Sequence, residues 1–196
     1  AMADTDRDRL DRALPAGART VLLAGPPTDR MRSLCGAMHR ADAGTALLIV
    51  TYTREPADYL DALDGSPGDI TVVTVGDAAP QTDDSPVMTR HVEAPADLTQ
   101  LGIEIDAVLE AHDRVSLCLD SLTTTLQYAD YTDVYEFLHA TTGRLRAAGA
   151  RTHVHLNPLA HDEQVLTGLA TLFDARVDLS AGALSVDARP LTGRNV

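Results

Sequence analysis

A loop that begins with glycine stands where many nucleotide-binding proteins hold phosphate. Residues Gly25–Ser33 (GPPTDRMRS) follow a short apolar segment and precede an amphipathic one. A working loop of this type ends in glycine, lysine and serine or threonine, because its backbone N–H groups and the lysine ammonium cradle the phosphates. Arg30, Met31 and Arg32 occupy those positions. If one residue is inserted, Ser33 takes the hydroxyl position but no lysine is supplied, so a plain strand-to-helix turn is the favoured interpretation.

A second candidate is the aspartate that ends the apolar segment Val115–Asp120 (VSLCLD). Aspartate in such a place is typical of the segment that holds Mg²⁺ in nucleotide hydrolases, although it is also a common cap. A hydroxyl-rich turn is predicted to follow, at Ser121 and Thr123–Thr125. Arg30 and Arg32 remain candidates for binding some other anion at a helix N-terminus. The candidate nucleotide-binding residues are therefore Gly25, Thr28, Arg30, Arg32, Ser33, Asp120 and Ser121.

Three histidines are candidate metal ligands. His153 and His155 alternate along a predicted strand, so they share one face of it, and His161 follows shortly after. Ordinary hydrogen-bonded histidines are the favoured interpretation, and we predict no metal. Cys35 and Cys118 both lie in apolar segments, where we expect buried, reduced thiols of a cytoplasmic protein.

Composition excludes several classes of function. The chain has 196 residues, is 44% hydrophobic and carries a formal net charge of −13. Lysine is absent, which excludes Schiff-base chemistry, a lysine general base and the lysine of a phosphate loop. The negative charge repels phosphates, so we expect no nucleic-acid partner. No apolar segment approaches the roughly 18 residues of a membrane span and no signal peptide is present, so we expect a cytoplasmic protein without membrane insertion.

Hydrophobic periodicity predicts alternating strands and helices. Continuous apolar segments predict buried strands at 20–24, 45–52, 70–75, 115–119 and 152–156, and two short strands near 177–179 and 184–188 are expected to form a hairpin. Residues 76–89 are predicted to form a loop. The result is a single three-layer α/β/α domain over residues 1–196, with a mostly parallel sheet and a C-terminal antiparallel hairpin. Residues 1–18 form an N-terminal extension or short helix. Ligands of such folds bind at the carboxyl ends of the strands.

Five segments carry a resemblance to a known family. They are Val50–Asp58, Ala94–Ile103, Leu119–Tyr128, Glu136–Arg146 and His153–Asp174, which together extend over much of the chain. In this order they resemble the RecA/KaiC superfamily of ATPase domains. They are more closely similar to a haloarchaeal family of KaiC-like domains without an assigned function, the HTR-like proteins. The abundance of aspartate and the lack of lysine also resemble proteins of salt-loving archaea.

The resemblance implies a RecA/KaiC-like sheet, but the ATPase residues depart from the pattern. The glutamate pair that helps to activate the attacking water in KaiC-type enzymes is replaced by Thr53 and Arg54, with Glu55 displaced by one position. Met31 stands in the lysine position, and of the ATPase positions only Asp120 is retained. A domain without the phosphate clamp and the base lacks the electrostatic stabilisation that makes phosphoryl transfer fast.

Two functions remain open from the sequence. The first is a non-enzymatic regulatory or signalling scaffold that binds a partner protein or forms a homo-oligomer, and that needs no cofactor. The second is an ATP-binding sensor or slow ATPase with Mg·ATP as its ligand. In that alternative Asp120 holds Mg²⁺, and Arg30 or Arg32 replaces the lysine. The first is favoured because the lysine and the glutamate pair are independent losses.

The charge of the chain predicts a strong dependence of stability on salt. Repulsion among the groups that give the net charge of −13 destabilises the compact state at low ionic strength. Salt screens this repulsion and also strengthens the burial of apolar groups. We expect the melting temperature to rise substantially between about 0.1 M and above about 2 M KCl. A melting temperature that stays flat over this range contradicts the salt adaptation.

Overall fold

The computed structural model describes residues 4–39, 43–61, 63, 67–78 and 87–189. Within them, the strands form one eight-stranded sheet in the order β4-β3-β2-β5-β6-β1-β7-β8. The strands are β1 (Thr20–Ala24), β2 (Ala46–Thr51), β3 (Ile70–Val75), β4 (Val87–Val92), β5 (Val115–Asp120), β6 (Arg151–Leu156), β7 (Ala175–Asp178) and β8 (Ser185–Ala188). Every neighbouring pair is parallel except β7 and β8, which confirms the predicted C-terminal hairpin.

Helices cover both faces of the sheet. They are α1 (Asp4–Ala13), α2 (Asp29–His39), α3 (Pro56–Leu60), α4 (Leu98–Ala111), α5 (Leu122–Tyr128), α6 (Tyr131–Ala147) and α7 (Glu163–Ala170), with a 3₁₀ helix at Pro158–Ala160. Side chains from α4 to α7 pack in one hydrophobic cluster with one face of the sheet, whereas those of α1 and most of α2 pack in a second cluster on the other face. The predicted three-layer α/β/α architecture is therefore confirmed. None of the helices in the described part of the chain is both long enough and apolar enough to cross a bilayer.

Burial on both faces explains why the central strands are continuously apolar. All six residues of β2 are buried, and Leu48 and Val50 point into the first cluster while Ile49 points toward α2. Because successive side chains alternate between the two faces, neither face of such a strand tolerates an unpartnered polar group. A polar residue on a central strand must therefore have a partner, and it is a candidate functional residue.

Helix ends follow the local signals in the sequence. Asp97 caps α4 by accepting a hydrogen bond from the backbone N–H of Gln100 at 2.9 Å. Gly149 follows α6 with φ at +67°, the left-handed conformation that glycine adopts without strain. Ser121 caps α5 by accepting from the backbone N–H of Thr124.

Two local predictions are wrong. Part of the predicted loop at 76–89 belongs to β4, which pairs with β3 at the edge of the sheet, while residues 79–86 of that loop lie outside the described residues. This edge strand is half exposed and contains Arg90 and His91, so it lacks the continuous apolar pattern. The predicted hydroxyl-rich turn after Asp120 is instead helix α5, since Ser121 caps it and Leu122 is fully buried beneath it.

Candidate functional site

The candidate site lies at the carboxyl ends of the central parallel strands. Strand β1 leads through Gly25 into α2, and β5 leads through Asp120 and Ser121 into α5. Strand β6 lies between β1 and β5. The candidate phosphate loop and the candidate Mg²⁺ ligand therefore share one edge of the sheet, separated by two strand spacings, about 10 Å.

Arg30 is held by the protein itself. Its guanidinium donates two hydrogen bonds to the Asp6 carboxylate, from Nε at 2.7 Å and from Nη2 at 2.9 Å. It also donates to the carbonyl oxygen of Gly182 in the turn between β7 and β8. The hydrogen bonds from Arg30 hold the pKa of Asp6 below its usual range. Through these hydrogen bonds Arg30 connects α2 with α1 and with the hairpin formed by β7 and β8.

Met31, which takes the lysine position of the phosphate-loop pattern in the sequence, is buried. Its side chain is buried in the hydrophobic cluster beneath α2, together with Leu34 and Leu179. Its methyl group lies so close to Gly25 that a Cβ added at that glycine would come within 2.8 Å of it. An apolar contact therefore occupies the first turn after β1. Thr28 caps the start of α2 by accepting a hydrogen bond from the backbone N–H of Met31 at 3.3 Å.

The last two loop candidates are less constrained. Arg32 forms an ion pair with the exposed Asp29 at 3.1 Å, one turn earlier in the chain. Its Nε is nevertheless buried and has no hydrogen-bond partner. Ser33 is half-buried on α2. The loop candidates therefore lie before and within the first turn of α2. Among them, the side chain of Arg32 is slightly more exposed than that of Arg30.

Asp120 is surrounded by protein partners. Tyr59, on α3, donates a hydrogen bond from Oη to Asp120 Oδ2 at 2.8 Å, and Arg54 Nε lies 3.5 Å from the same oxygen. Burial, together with the negative charge of Asp120, raises the pKa of Tyr59 far above its usual value. Thr51 lies directly opposite Asp120 in the β2–β5 register, which explains why the residues just after β2 reach this carboxylate.

Arg54 is a member of this cluster whose contact with Asp120 the sequence alone did not reveal. The structure places its positive charge against Asp120. The backbone N–H of Arg54 also donates to Thr51 Oγ1 at 3.0 Å, which orients the turn after β2. The sequence signal for this contact was a positively charged residue three positions after the end of β2, the strand that pairs with β5.

Two cysteines and three histidines gather on the same face of the sheet, just inward of Asp120. Cys118 precedes Asp120 by two positions and lies opposite His153 in the β5–β6 register. Cys35 on α2 lies 3.4 Å from Cys118 (Sγ to Sγ) and 3.0 Å from His153 (Sγ to Nε2). His155 Nε2 lies 3.4 Å from Cys118 Sγ, and the rings of His39 and His153 meet edge to face at 4.7 Å. All five side chains are buried.

Burial determines the protonation state of one histidine in this cluster. Removal from water lowers the pKa of His153 to about 4, so its imidazole is neutral at pH 7. The hydrogen bond from Cys118 lowers the pKa of the Cys35 thiol. The cluster thus combines soft sulfur atoms with a neutral imidazole in a site removed from water.

The sequence predicted only some members of this cluster. His153 and His155 do share a face, and both cysteines are free and buried, as predicted. His161 lies apart from them and contacts Thr123 Oγ1 at 3.2 Å. Neither the joining of the cysteines with the histidines nor the participation of His39 was predicted. The four-residue spacing of Cys35 and His39 on one helix face was the signal for it.

Residues 18–179 match a family of unknown function (DUF7504). The chain belongs to this family. No curated protein matches the chain. Two solved archaeal structures show that the DUF7504 chain has a RecA/KaiC-like fold. One is a structural-study protein (Project ID PH0250) from Pyrococcus horikoshii OT3, with a TM-score of 0.63 and 10% identity over 94% of this chain and 93% of that one. The other is the flagellar accessory protein FlaH from Methanocaldococcus jannaschii, with a TM-score of 0.52 and 14% identity over 95% of this chain and 82% of that one.

Restoring a lysine in this DUF7504 chain tests whether the phosphate-loop space is filled. We expect Met31→Lys to lower the free energy of unfolding by about 3 kcal/mol or more, because it buries an unpaired ammonium. The control Met31→Leu preserves volume and polarity, so it should cost less than about 1.5 kcal/mol. Urea unfolding in molar KCl measures both. A Met31→Lys variant as stable as the parent protein would show that the space is open to solvent.

Proposed function

We propose that this domain is a non-catalytic RecA/KaiC-like scaffold with a regulatory or signalling role, acting by binding a partner protein or a second copy of itself. One observation carries the proposal: the charged groups that would clamp a nucleotide are paired with each other or with neighbouring elements. Arg30 is bound to Asp6, and Asp120 is bound to Tyr59 and Arg54. The buried Met31 occupies the position that lysine takes in a phosphate-binding loop.

The energetics of nucleotide binding support this interpretation. Mg·ATP would bring a strongly anionic ligand to a chain whose net charge is already −13. A phosphate loop overcomes such repulsion with a nest of backbone N–H groups, which requires positive φ at some positions. The segment 28–33 contains no glycine, so each such position would be strained. A contact between Arg30 and phosphate would also require Arg30 to leave Asp6.

The setting we propose is the cytoplasm of a salt-adapted cell. The excess of aspartate and the absence of lysine support it, since short hydrated carboxylates suit a surface that is screened by concentrated salt. RecA-type domains often assemble side by side, and this analogy supports a homo-oligomer as one form of the scaffold. A pull-down from native lysate kept at high salt would identify a partner protein directly.

The second candidate function is an ATP-binding sensor, favoured by the retention of Asp120 at the end of β5. In this alternative Arg54 releases Asp120 so that the carboxylate holds Mg²⁺, and Arg32, the least constrained cation of the loop, contacts phosphate. The two functions differ in one measurable property, the affinity for Mg·ATP.

We expect calorimetry with Mg·ATP in molar KCl to show no binding tighter than a Kd of about 1 mM, which corresponds to roughly 4 kcal/mol. The reason is that the loop offers no lysine and its nearest arginine is already paired. Asp120→Asn should leave the titration unchanged, because no bound Mg²⁺ is lost. A micromolar Kd, or ATP turnover that Asp120→Asn abolishes, contradicts the scaffold and selects the sensor.

A further inference from the structure

The buried cluster of sulfur and imidazole groups beneath α2 offers four ligand atoms of the kind that thiophilic metals prefer. One ligand atom each from Cys35, His39, Cys118 and His153 lies within 4.8 Å of every other. We propose that these four residues form a structural Zn²⁺ site, which ties α2 to strands β5 and β6. This proposal is independent of the scaffold function, because it concerns the helix and the strands rather than the nucleotide edge.

The distances suit tetrahedral coordination. A Zn²⁺ ion with Zn–S near 2.3 Å and Zn–N near 2.0–2.1 Å separates its ligand atoms by roughly 3.3–3.8 Å. Cys35 Sγ lies 3.4 Å from Cys118 Sγ and 3.0 Å from His153 Nε2. These two close pairs must move apart by about 0.5 Å or less to admit the ion, while the most distant ligand atoms, up to 4.8 Å apart, must approach by about 1 Å. Two cysteines with two histidines in this geometry are typical of a closed structural zinc site.

His39 provides an independent indication of a ligand. Its ring is buried, its Nδ1 lies 3.0 Å from Ser116 Oγ, and its Nε2 has no hydrogen-bond partner. A buried polar nitrogen left unpaired costs roughly 1–3 kcal/mol. If Nδ1 carries the proton and donates it to Ser116, Nε2 presents a lone pair toward the cluster. Metal-bound histidines are held in this manner by an outer hydrogen bond.

The charges of the ion and of its ligands cancel within the site. Binding releases one proton from each thiol to solvent, and the two resulting thiolates neutralise the two charges of Zn²⁺. The pair of neutral imidazoles completes a site with no net charge, which is the form that burial tolerates best. His155 Nε2, 3.4 Å from Cys118 Sγ, is placed to donate a hydrogen bond to the bound thiolate.

The position in the fold explains what such an ion would do. Cys35 and His39 lie on α2, while Cys118 and His153 lie on β5 and β6. The ion would replace hydrogen bonds between side chains with four coordinate bonds across the helix–sheet interface. All four protein ligands together leave no open coordination position, so the site is structural rather than catalytic.

The test uses Co²⁺ as a spectroscopic probe of the full chain, together with metal analysis of the protein as purified. Reduced protein in molar KCl, first stripped with a chelator, is titrated with Co²⁺ and then with Zn²⁺. We expect one Co²⁺ per chain, with intense visible bands of tetrahedral cobalt and near-ultraviolet thiolate-to-cobalt charge transfer. Zn²⁺ should displace the ion and raise the melting temperature, because a preformed site binds it more tightly than the cysteines and histidines of the unfolded chain.

Matched variants assign the ligands. Cys118→Ser and His39→Ala should weaken Co²⁺ binding by at least about tenfold, the scale found even for partners of metal ligands. His161→Ala should leave the spectrum unchanged, because His161 lies on Thr123 outside the cluster. Melting the chelator-treated parent beside each variant separates a loss of folding from a loss of ligand.

Three outcomes overturn the proposal. The first is a parent protein that takes up no stoichiometric metal. The second is a cobalt spectrum without thiolate charge transfer. The third is a Cys35–Cys118 disulfide in protein purified under reducing conditions. The parent spectrum decides the question even if a variant does not fold.

Discussion

The structure depends on one constraint: the face of the sheet beneath α2 carries ionisable groups that are shut off from water and must be partnered by the protein. Asp120, Cys118, His153 and His155 all project from β5 and β6 toward this helix. An unpartnered buried charge costs several kcal/mol, which is comparable to the whole stability of a domain. The contacts made by Arg54, Tyr59 and Cys35 are the responses to that cost.

This constraint connects the two ends of α2. At its first turn, Arg30 pairs with Asp6 and Met31 is buried against the sheet. Farther along, Cys35 and His39 reach the cluster on the central strands. Contacts with the rest of the protein therefore hold α2 at its first turn and again at Cys35 and His39.

Much of the fold could be predicted from the sequence, because strands buried on both faces leave continuous apolar segments such as Leu47–Val50. The edge strand β4 escaped prediction, since exposure of one side removes that pattern. The candidate loop and Asp120 were identified by position, but their partners were not. Those partners come together from distant positions: Cys35 meets Cys118 across 83 residues and His153 across 118. Sequence spacing carries no information about such contacts, which only the strand order determines.

The most direct test of this account is a double-mutant cycle between Arg54 and Asp120, measured as the free energy of unfolding in molar KCl. Arg54→Met and Asp120→Asn each leave the other partner buried without its counterpart. The account predicts that the double variant is more stable than the sum of the two single effects implies, with a coupling of about 1–3 kcal/mol. A coupling near zero would show that Asp120 is not held by Arg54, and that its carboxylate is available for another ligand.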